Sequence, residues 1–425
     1  MVEPTLPTHD SKSSGMIEQR SFASEIPIEL VEYIIDHLHD DTLALCSSSL
    51  VCRSWTEPAR HHLFYEVKVH SNKKEYASGN LFTKLHDILD TGRAVHPHIK
   101  RLFIEADPTM NQLLSATLLR ACFDHLTSVH TLSVRGVRFP RPRAGDADSD
   151  GPAPQVRTLL VKESVTDDGF LSTVGHLRSL QKLVMEDMNR FTMKLNTTRF
   201  NRPHLTSLLL DDADAPTLAY FLTPDRTQDL ESLTLVFRQQ PSLRTLQHLS
   251  SMLHLPDIKL NYLSIQVGYG SPGTPLTRVQ WKTLELHSCS TLISLRVVID
   301  LTGAFHVSPD HRQDIDTEWD QILPQILPQS HSGIRHFELG LHYSYESLRQ
   351  LTQRMKNWDW KPLQTALSRW NALQTVTFNH LQVNRKAWTE EWEEMVRGQL
   401  TALPMVCILF QYTDEAEDRA ETQLG

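Results

Sequence analysis

Cysteine is scarce in this sequence, and no two cysteines form a recognisable pair. None of the five stands in a CxxC spacing, and their number is odd; they are Cys46, Cys52, Cys122, Cys289 and Cys407. This pattern excludes a disulfide framework and the common structural zinc signatures. Thiols without partners are typical of a reducing compartment, so the sequence predicts a cytoplasmic or nuclear protein, or one found in both.

Long apolar runs are absent too. No stretch reaches the roughly 18 apolar residues that a membrane-spanning helix needs, so no membrane partner is expected. The first residues are polar and rich in Ser, Thr and Pro, without the apolar segment of a signal peptide, which predicts a disordered tail at 1–24. The chain carries 42 basic and 51 acidic residues, a net charge of −9, which argues against nucleic acid as a partner.

Motifs for nucleophilic, phosphate-binding and zinc chemistry are also missing. No GxSxG, P-loop or HExxH occurs, so we expect no enzyme, no catalytic residue, no metal and no cofactor. One formal match to the dinucleotide fingerprint GxGxxG runs through Gly268, Gly270 and Gly273. Pro272 and Pro275 interrupt the segment that should open the phosphate-binding helix. An enzyme that uses this segment is therefore the weakest of the functional hypotheses.

What the sequence does contain is a short repeat. The order apolar, two variable residues, apolar, one variable residue, apolar recurs ten times from residue 99 onward, and an eleventh copy is expected at Met405/Ile408/Phe410. The ten copies begin at Ile99, Val129, Val156, Leu180, Leu205, Leu230, Leu260, Leu292, Ile334 and Leu373. Their spacing varies from 24 residues, between Val156 and Leu180, to 42 residues, between Leu292 and Ile334.

This repeat predicts a stack of short parallel strands, because alternate residues of a strand share one face and such a short strand cannot bury its face alone. Apolar segments between copies, such as 113–119 and 217–222, are expected to form helices behind the strands. The LxxLxL core resembles the leucine-rich repeat, which implies an irregular α/β solenoid. The asparagine or cysteine that this family carries three residues after the last apolar position is missing; Met188, Ala213 and Arg238 stand there. An ordinary α/β domain with several parallel strands is the alternative.

Four parts follow from these patterns: the tail at 1–24, a helical motif at 25–66, the solenoid at 67–412 and an acidic tail at 413–425. A loop rich in Pro, Gly and Asp, at about 141–154, is expected to be disordered. Tryptophans concentrate near the end of the solenoid and are expected to cap its core; they are Trp358, Trp360, Trp370, Trp388 and Trp392.

The motif at 25–66 has helical periodicity. Pro27 suits the first turn of a helix, and Leu30, Ile34 and Leu38 repeat at a spacing of four. One of the acids at 40–41 is expected to cap a second short helix. Apolar residues on more than one helix face in so small a unit predict contact with an outside partner.

A third helix is expected to carry Leu50, Val51 and Trp55, and Pro58 is expected to begin a further helical segment. The order Ile-Pro-x-Glu-Leu, Ile-Ile-x-x-Leu, Ser-Leu-Val-Cys-Arg-x-Trp and His-His-Leu-Phe in this block resembles the F-box, particularly that of F-box proteins from mushroom-forming fungi. The resemblance covers only about residues 25–70. The motif begins with Ile-Pro where the family commonly has Leu-Pro.

The resemblance implies binding to a Skp1-type adaptor and, through it, to a cullin-RING ubiquitin ligase, while the solenoid holds an unidentified protein substrate. By position, it implies these adaptor-facing residues: Ile26, Pro27, Leu30, Ile34, Ile35, Leu38, Leu50, Val51 and Trp55. The alternative for each is that it fills the core of the helical motif. The alternative for the whole protein is an F-box scaffold that has no role in ubiquitination.

Overall fold

The computed structural model describes residues 26–70, 83–106, 112–114, 116–139, 155–164, 168–188, 203–212, 215–223, 227–238, 241–255, 257–268, 281–284, 286, 289–300, 323, 326–327, 333–342, 355–356, 358–381, 390–401, 403 and 406–413. The predicted tail at 1–24, the predicted loop at 141–154 and residues 414–425 lie outside these ranges. The GxGxxG segment lies outside them beyond Gly268. The chain forms two compact units, with the boundary between Glu66 and Val67.

The first unit is helical. Its helices are α1 (Ile28–His37), α2 (Thr42–Ser49) and α3 (Arg53–Tyr65). Asp41 caps α2, because its side chain accepts a hydrogen bond from the backbone N–H of Ala44 at 2.9 Å.

Two predictions about α3 are wrong. Leu50 and Val51 do not belong to it; they lie in the turn after α2, because Cys52 is extended and α3 begins only at the next residue. Pro58 does not begin a separate helix but lies inside α3. A proline there removes one intrahelical hydrogen bond, and the helix continues because Ala59 and Leu63 pack into the core of the unit.

The second unit is an α/β repeat array built on one long sheet. The strands of this sheet are β1 (Glu66–His70), β2 (Arg101–Glu105), β3 (Thr131–Arg135), β4 (Thr158–Lys162), β5 (Lys182–Glu186), β6 (Ser207–Asp211), β7 (Ser232–Phe237), β8 (Tyr262–Gly268), β9 (Ser294–Asp300), β10 (His336–His342), β11 (Thr375–Leu381) and β12 (Cys407–Thr413). Their order in the sheet follows their order in the chain, and each pair from β2 to β12 is parallel. Sequential parallel pairing is the arrangement of a leucine-rich-repeat solenoid, so the predicted fold class is confirmed.

Helices alternate with these strands in the described part of the chain. They are α4 (Thr83–Thr91), α5 (Ala116–His125), α6 (Asp168–His176), α7 (Ala215–Phe221), α8 (Leu243–Leu253), α9 (Lys361–Ser368) and α10 (Glu390–Gln399). In α8, the Ser242 side chain caps the helix and the buried residues recur on one face; they are Thr245, Leu246, Leu249, Met252 and Leu253. The helix predicted within 113–119 begins at Ala116, because residues 112–113 form a short strand that pairs with Val137–Arg138.

The repeat register is the one that the LxxLxL pattern predicts. The second apolar position of each copy aligns with that of its neighbour, from Leu102 opposite Leu132 to Val376 opposite Ile408. All three apolar positions of each of the ten complete copies are buried. Because core residues alternate with outward-facing ones along a strand, this register also defines the outward face of the sheet. Part of that face is itself buried, since Leu160, Val184 and Leu209 form a second apolar cluster there.

Loops leaving four successive strands share a left-handed residue directly after the strand. Its φ is 68° at Gly136, 49° at Glu163, 51° at Asp187 and 56° at Asp212. Residues other than glycine pay about 1–2 kcal/mol for this conformation, so the surrounding contacts must hold the three acidic residues in place.

Side chains take over the loop-bonding role of the missing asparagine. Ser164 is fully buried; its hydroxyl accepts a hydrogen bond from the N–H of Val137 at 3.2 Å and donates to the carbonyl of Lys162 at 2.8 Å. Asp211 accepts from the backbone N–H of Asp187 at 3.1 Å. Both contacts tie the loop of one repeat to its neighbour.

The late tryptophans that the structure describes pack within the last repeats, where β10 and β11 are followed by one more strand. Trp360, Trp370 and Trp392 are buried, and Trp370 lies edge-on to Phe337 with ring centroids 5.7 Å apart. Trp388 lies outside the described residues. Among the described helices, none is long and apolar enough to cross a membrane.

Candidate partner-binding surface

The helical unit has a small core of its own. Four fully or almost fully buried side chains form it: Val31, Ile35, Leu45 and Ala59. Partly buried apolar side chains pack around these four; they are Ile26, Leu38, Trp55 and Leu63. One polar contact also links two of the helices, since Nε2 of His62 on α3 lies 2.8 Å from Oδ1 of Asp36 on α1.

Helix α1 is apolar on two faces. Val31 and Ile35, one turn apart, point into the core. Leu30 and Ile34, also one turn apart, are exposed. Successive helical residues are about 100° apart around the axis, so the second pair forms a stripe separate from the core.

Helix α2 repeats this division. Leu45 is buried, whereas Leu43 is 81% exposed and Leu50, seven residues further on, is 85% exposed. The turn that carries Leu50 and Val51 is fixed by the Thr56 hydroxyl, which donates to the carbonyl of Ser49 at 2.9 Å. Leu50 and Val51 therefore lie in a turn whose conformation is held by a hydrogen bond.

Exposed apolar side chains concentrate in this unit. Of the ten large apolar side chains that are exposed in the described part of the chain, seven lie between residues 28 and 51. The seven are Ile28, Leu30, Tyr33, Ile34, Leu43, Leu50 and Val51. The other three are Leu243, Ile293 and Leu409, which are scattered over the array. Single exposed apolar residues are ordinary, whereas a concentration of them marks an interaction surface.

The nine adaptor-facing residues implied by the resemblance fall into three groups. Five are exposed: Pro27, Leu30, Ile34, Leu50 and Val51. Ile26, Leu38 and Trp55 are half-buried and pack around the core. Ile35 is fully buried, so its side chain belongs to the internal core and is not presented at the surface.

Three further exposed apolar residues are not among those predicted from the sequence: Ile28, Tyr33 and Leu43. Tyr33 stands beside Ile34 and its ring packs at 4.3 Å from that of His37, one turn later. A helical wheel of α1 would have grouped Tyr33 with Leu30 and Ile34. Leu43 lies in the first turn of α2, and no apolar spacing in the sequence shows that its side chain faces away from the core.

Cys52 is the titratable group at the junction of α2 and α3 with a shifted pKa. Its sulfur lies 3.1 Å from the Ser54 hydroxyl, and this hydrogen bond lowers the pKa of the thiol below its usual value. A thiol in this position is more readily ionised than a free cysteine.

The outward face of the sheet carries a largely buried polar network over β9 to β11. Oε1 of Glu338 lies 2.9 Å from Nε of Arg296 and accepts a hydrogen bond from Nδ2 of Asn379 at 2.9 Å. Burial raises the pKa of nearby Tyr262. These groups bond one another, so the network contributes to the packing of neighbouring repeats.

Charges line the C-terminal ends of β3 to β7. Arg135 lies 2.8 Å from Glu163, and Arg238 bonds both Asp211 and Asp187. The hydrogen bond to Asp211 raises the pKa of the Arg238 guanidinium. Within the described residues, no group of three His, Cys, Asp or Glu side chains converges as metal ligands would.

Comparison with known proteins leaves the family open. No family model matches the chain, and no curated protein matches its sequence significantly. The fold and the exposed apolar surface are therefore the basis for the function.

Proposed function

We propose that the helical unit docks on a Skp1-type adaptor and that the solenoid holds a protein target. The protein would then be the substrate-recognition subunit of a Skp1–cullin–F-box ubiquitin ligase in the cytoplasm or nucleus. The observation that carries this proposal is the exposure of seven large apolar side chains within residues 28–51. The class of partner, a Skp1-type adaptor, is inferred from the order of residues that resembles the F-box.

The chemistry of the surface suits a protein partner. Aliphatic and aromatic anchors dominate the buried centre of protein interfaces and carry most of the binding energy. Leu43 and Leu50 are the two most exposed anchors. A partner that covers them would remove more apolar surface from water there than at the other anchors. A small helical unit with a core of four residues also gains stability from such a cover.

The mechanism requires no reacting group in this chain. A target held by the solenoid is brought close to the ubiquitin-charged enzyme of the ligase, which raises the effective concentration of the reacting groups. Geometry and linkage then determine the rate of ubiquitin transfer. This accounts for function without a catalytic, metal or cofactor site.

The test is co-expression of the full chain with Skp1 and purification of the complex. Leu50→Asp places a charge on the most exposed anchor and is expected to weaken the complex at least about tenfold, because a buried unpaired carboxylate is costly. Leu243→Asp is the matched control, since Leu243 is an exposed leucine on α8, and it should leave binding unchanged.

Failure of the wild-type chain to bind Skp1 would refute the proposal, as would equal binding by the two variants. Ubiquitin transfer to a bound target, lost in Leu50→Asp, would distinguish a ligase subunit from a scaffold.

A further inference from the structure

Basic side chains gather at the N-terminal ends of four neighbouring strands. Lys100 and Arg101 open β2, His130 precedes β3, Arg157 precedes β4, and Lys182 begins β5. The backbone fixes their spacing: the N–H of His130 donates to the carbonyl of Lys100 at 3.0 Å, and the N–H of Arg157 donates to that of His130 at 2.9 Å. Strands in a sheet lie about 4.8 Å apart, so the cluster spans about 15 Å.

Three of the other four basic residues act electrostatically on His130. His130 lies among the cations, and its pKa is lowered first by burial and then by the charges of Arg101, Lys100 and Arg157. The charged groups responsible for this shift are all basic. The chain as a whole has a net charge of −9, so the sign of the charge at this cluster is opposite to that of the whole chain.

The opposite ends of the same strands differ in charge. Acidic and basic residues there form pairs across strands, such as Arg135 with Glu163 at 2.8 Å and Lys162 with Glu186 at 3.5 Å. Glu105 ends β2 on that side. An anionic ligand would therefore be attracted to the N-terminal ends of these strands and repelled by carboxylates at their C-terminal ends.

We propose that the basic cluster of Lys100, Arg101, His130, Arg157 and Lys182 binds an acidic segment of the target protein. The inference rests on the proposed function in one respect, that the solenoid is the target-binding part. Arginine binds carboxylates through two parallel hydrogen bonds, and about five extended residues match the 15 Å of the cluster. An acidic peptide is favoured over a nucleic acid because the net charge of −9 on the whole chain repels a long polyanion.

The experiment uses the full chain and a fluorescein-labelled dodecapeptide of alternating Glu and Asp with glycine spacers, followed by fluorescence anisotropy. Wild type should bind this peptide and should not bind its Gln/Asn counterpart. Lys100→Glu/Arg157→Glu should weaken binding by at least about tenfold, and added salt should weaken it as well. Arg244→Glu/Lys361→Glu changes the charge equally at exposed helical positions and should alter affinity less than about twofold.

A milder variant guards against misfolding. Lys100→Gln/Arg157→Gln should give an intermediate loss, and in Arg157→Glu alone the pKa of His130, read by NMR, should rise as a nearby positive charge is replaced by a negative one.

The proposal is overturned if wild type does not bind the acidic peptide, or if the control variant weakens as much as Lys100→Glu/Arg157→Glu. Tighter binding of a single-stranded oligonucleotide than of the peptide would also overturn it. Skp1 binding is measured in the same variants. A variant that loses the peptide and still binds Skp1 tests the basic cluster alone. Failure of the wild-type chain to bind Skp1 refutes the proposed function and leaves the result for the peptide standing by itself.

Discussion

Two neighbouring isoleucines on α1 provide a sharp test of which apolar residues are core and which are surface. Ile35 is fully buried beside Val31, Leu45 and Ala59. Ile34, the residue before it, is 39% exposed. Replacing each with alanine removes the same atoms from adjacent positions of one helix, so any difference reflects their surroundings.

The expected costs differ by several-fold. Ile35→Ala removes three buried carbons, about 2.4 kcal/mol at about 0.8 kcal/mol each, and the remaining cavity brings the loss to about 3–4 kcal/mol. A helical unit this small has only a few kcal/mol of stability, so it should largely unfold. Ile34→Ala should cost about 1 kcal/mol, because the side chain is already 39% exposed, its removal leaves no closed cavity, and alanine favours the helix.

Amide hydrogen exchange followed by mass spectrometry measures both effects. Peptides from residues 26–66 should lose protection in Ile35→Ala and keep it in Ile34→Ala, while peptides from β7 to β11 remain protected in both. Ile34→Ala should still weaken Skp1 binding under the proposed function, whereas it would leave binding intact if that residue were merely an exposed side chain. Equal loss of protection in the two variants would show that the core is wrongly identified.

Two further predictions concern the array. Asp211→Ala should cost about 2 kcal/mol in urea unfolding, because the N–H of Asp187 and the guanidinium of Arg238 both lose an acceptor. Asp211→Asn keeps one oxygen that can accept from the N–H of Asp187, so it should cost less than Asp211→Ala even though it loses the charge that pairs with Arg238. Equal costs would contradict the role given to the carboxylate oxygen. Burial raises the pKa of Cys122 to about 12 and also raises that of Cys289, so neither should react with iodoacetamide at pH 8 until urea unfolds the chain. The pKa of each thiol rises because burial favours its neutral form, and the neutral thiol is a poor nucleophile. Alkylation of native Cys122 at pH 8, detected by mass spectrometry, would refute this prediction.

The array was predictable because one physical rule fixes it. A short parallel strand must bury one face, and the pattern that starts at Ile99 repeats that requirement at every strand. Burial of Leu102 and Ile104, with the outward-facing Phe103 between them, follows directly from alternation along the strand. The contacts of Ser164 and Asp211 were not predictable, because they depend on which loops lie next to each other across repeats.

The helical unit was less predictable, because the limits of its helices depend on local backbone conformation and packing. The expectation that Leu50 and Val51 belong to a helix failed because apolar spacing does not show where one helix ends, whereas the extended conformation of Cys52 does. The sequence predicts a helix start at Pro58, because proline is favoured in the first turn of a helix. Inside α3 the packing of its neighbour Ala59 in the core outweighs the lost hydrogen bond.

Whether an apolar residue of α1 belongs to the core or to the exposed surface depends on its position around the helix axis. Apolar periodicity alone does not say which side of the axis faces the core. Ile34 and Ile35 differ by about 100° around α1, and each belongs to an apolar stripe with a spacing of four. Both stripes satisfy the same pattern, so the sequence predicts two buried faces without saying which one the unit covers for itself. Contacts with α2 and α3 settle it for Ile35. The stripe of Leu30 and Ile34 has no such cover within its unit, so under the proposed function adaptor binding should depend on this stripe as well as on Leu50.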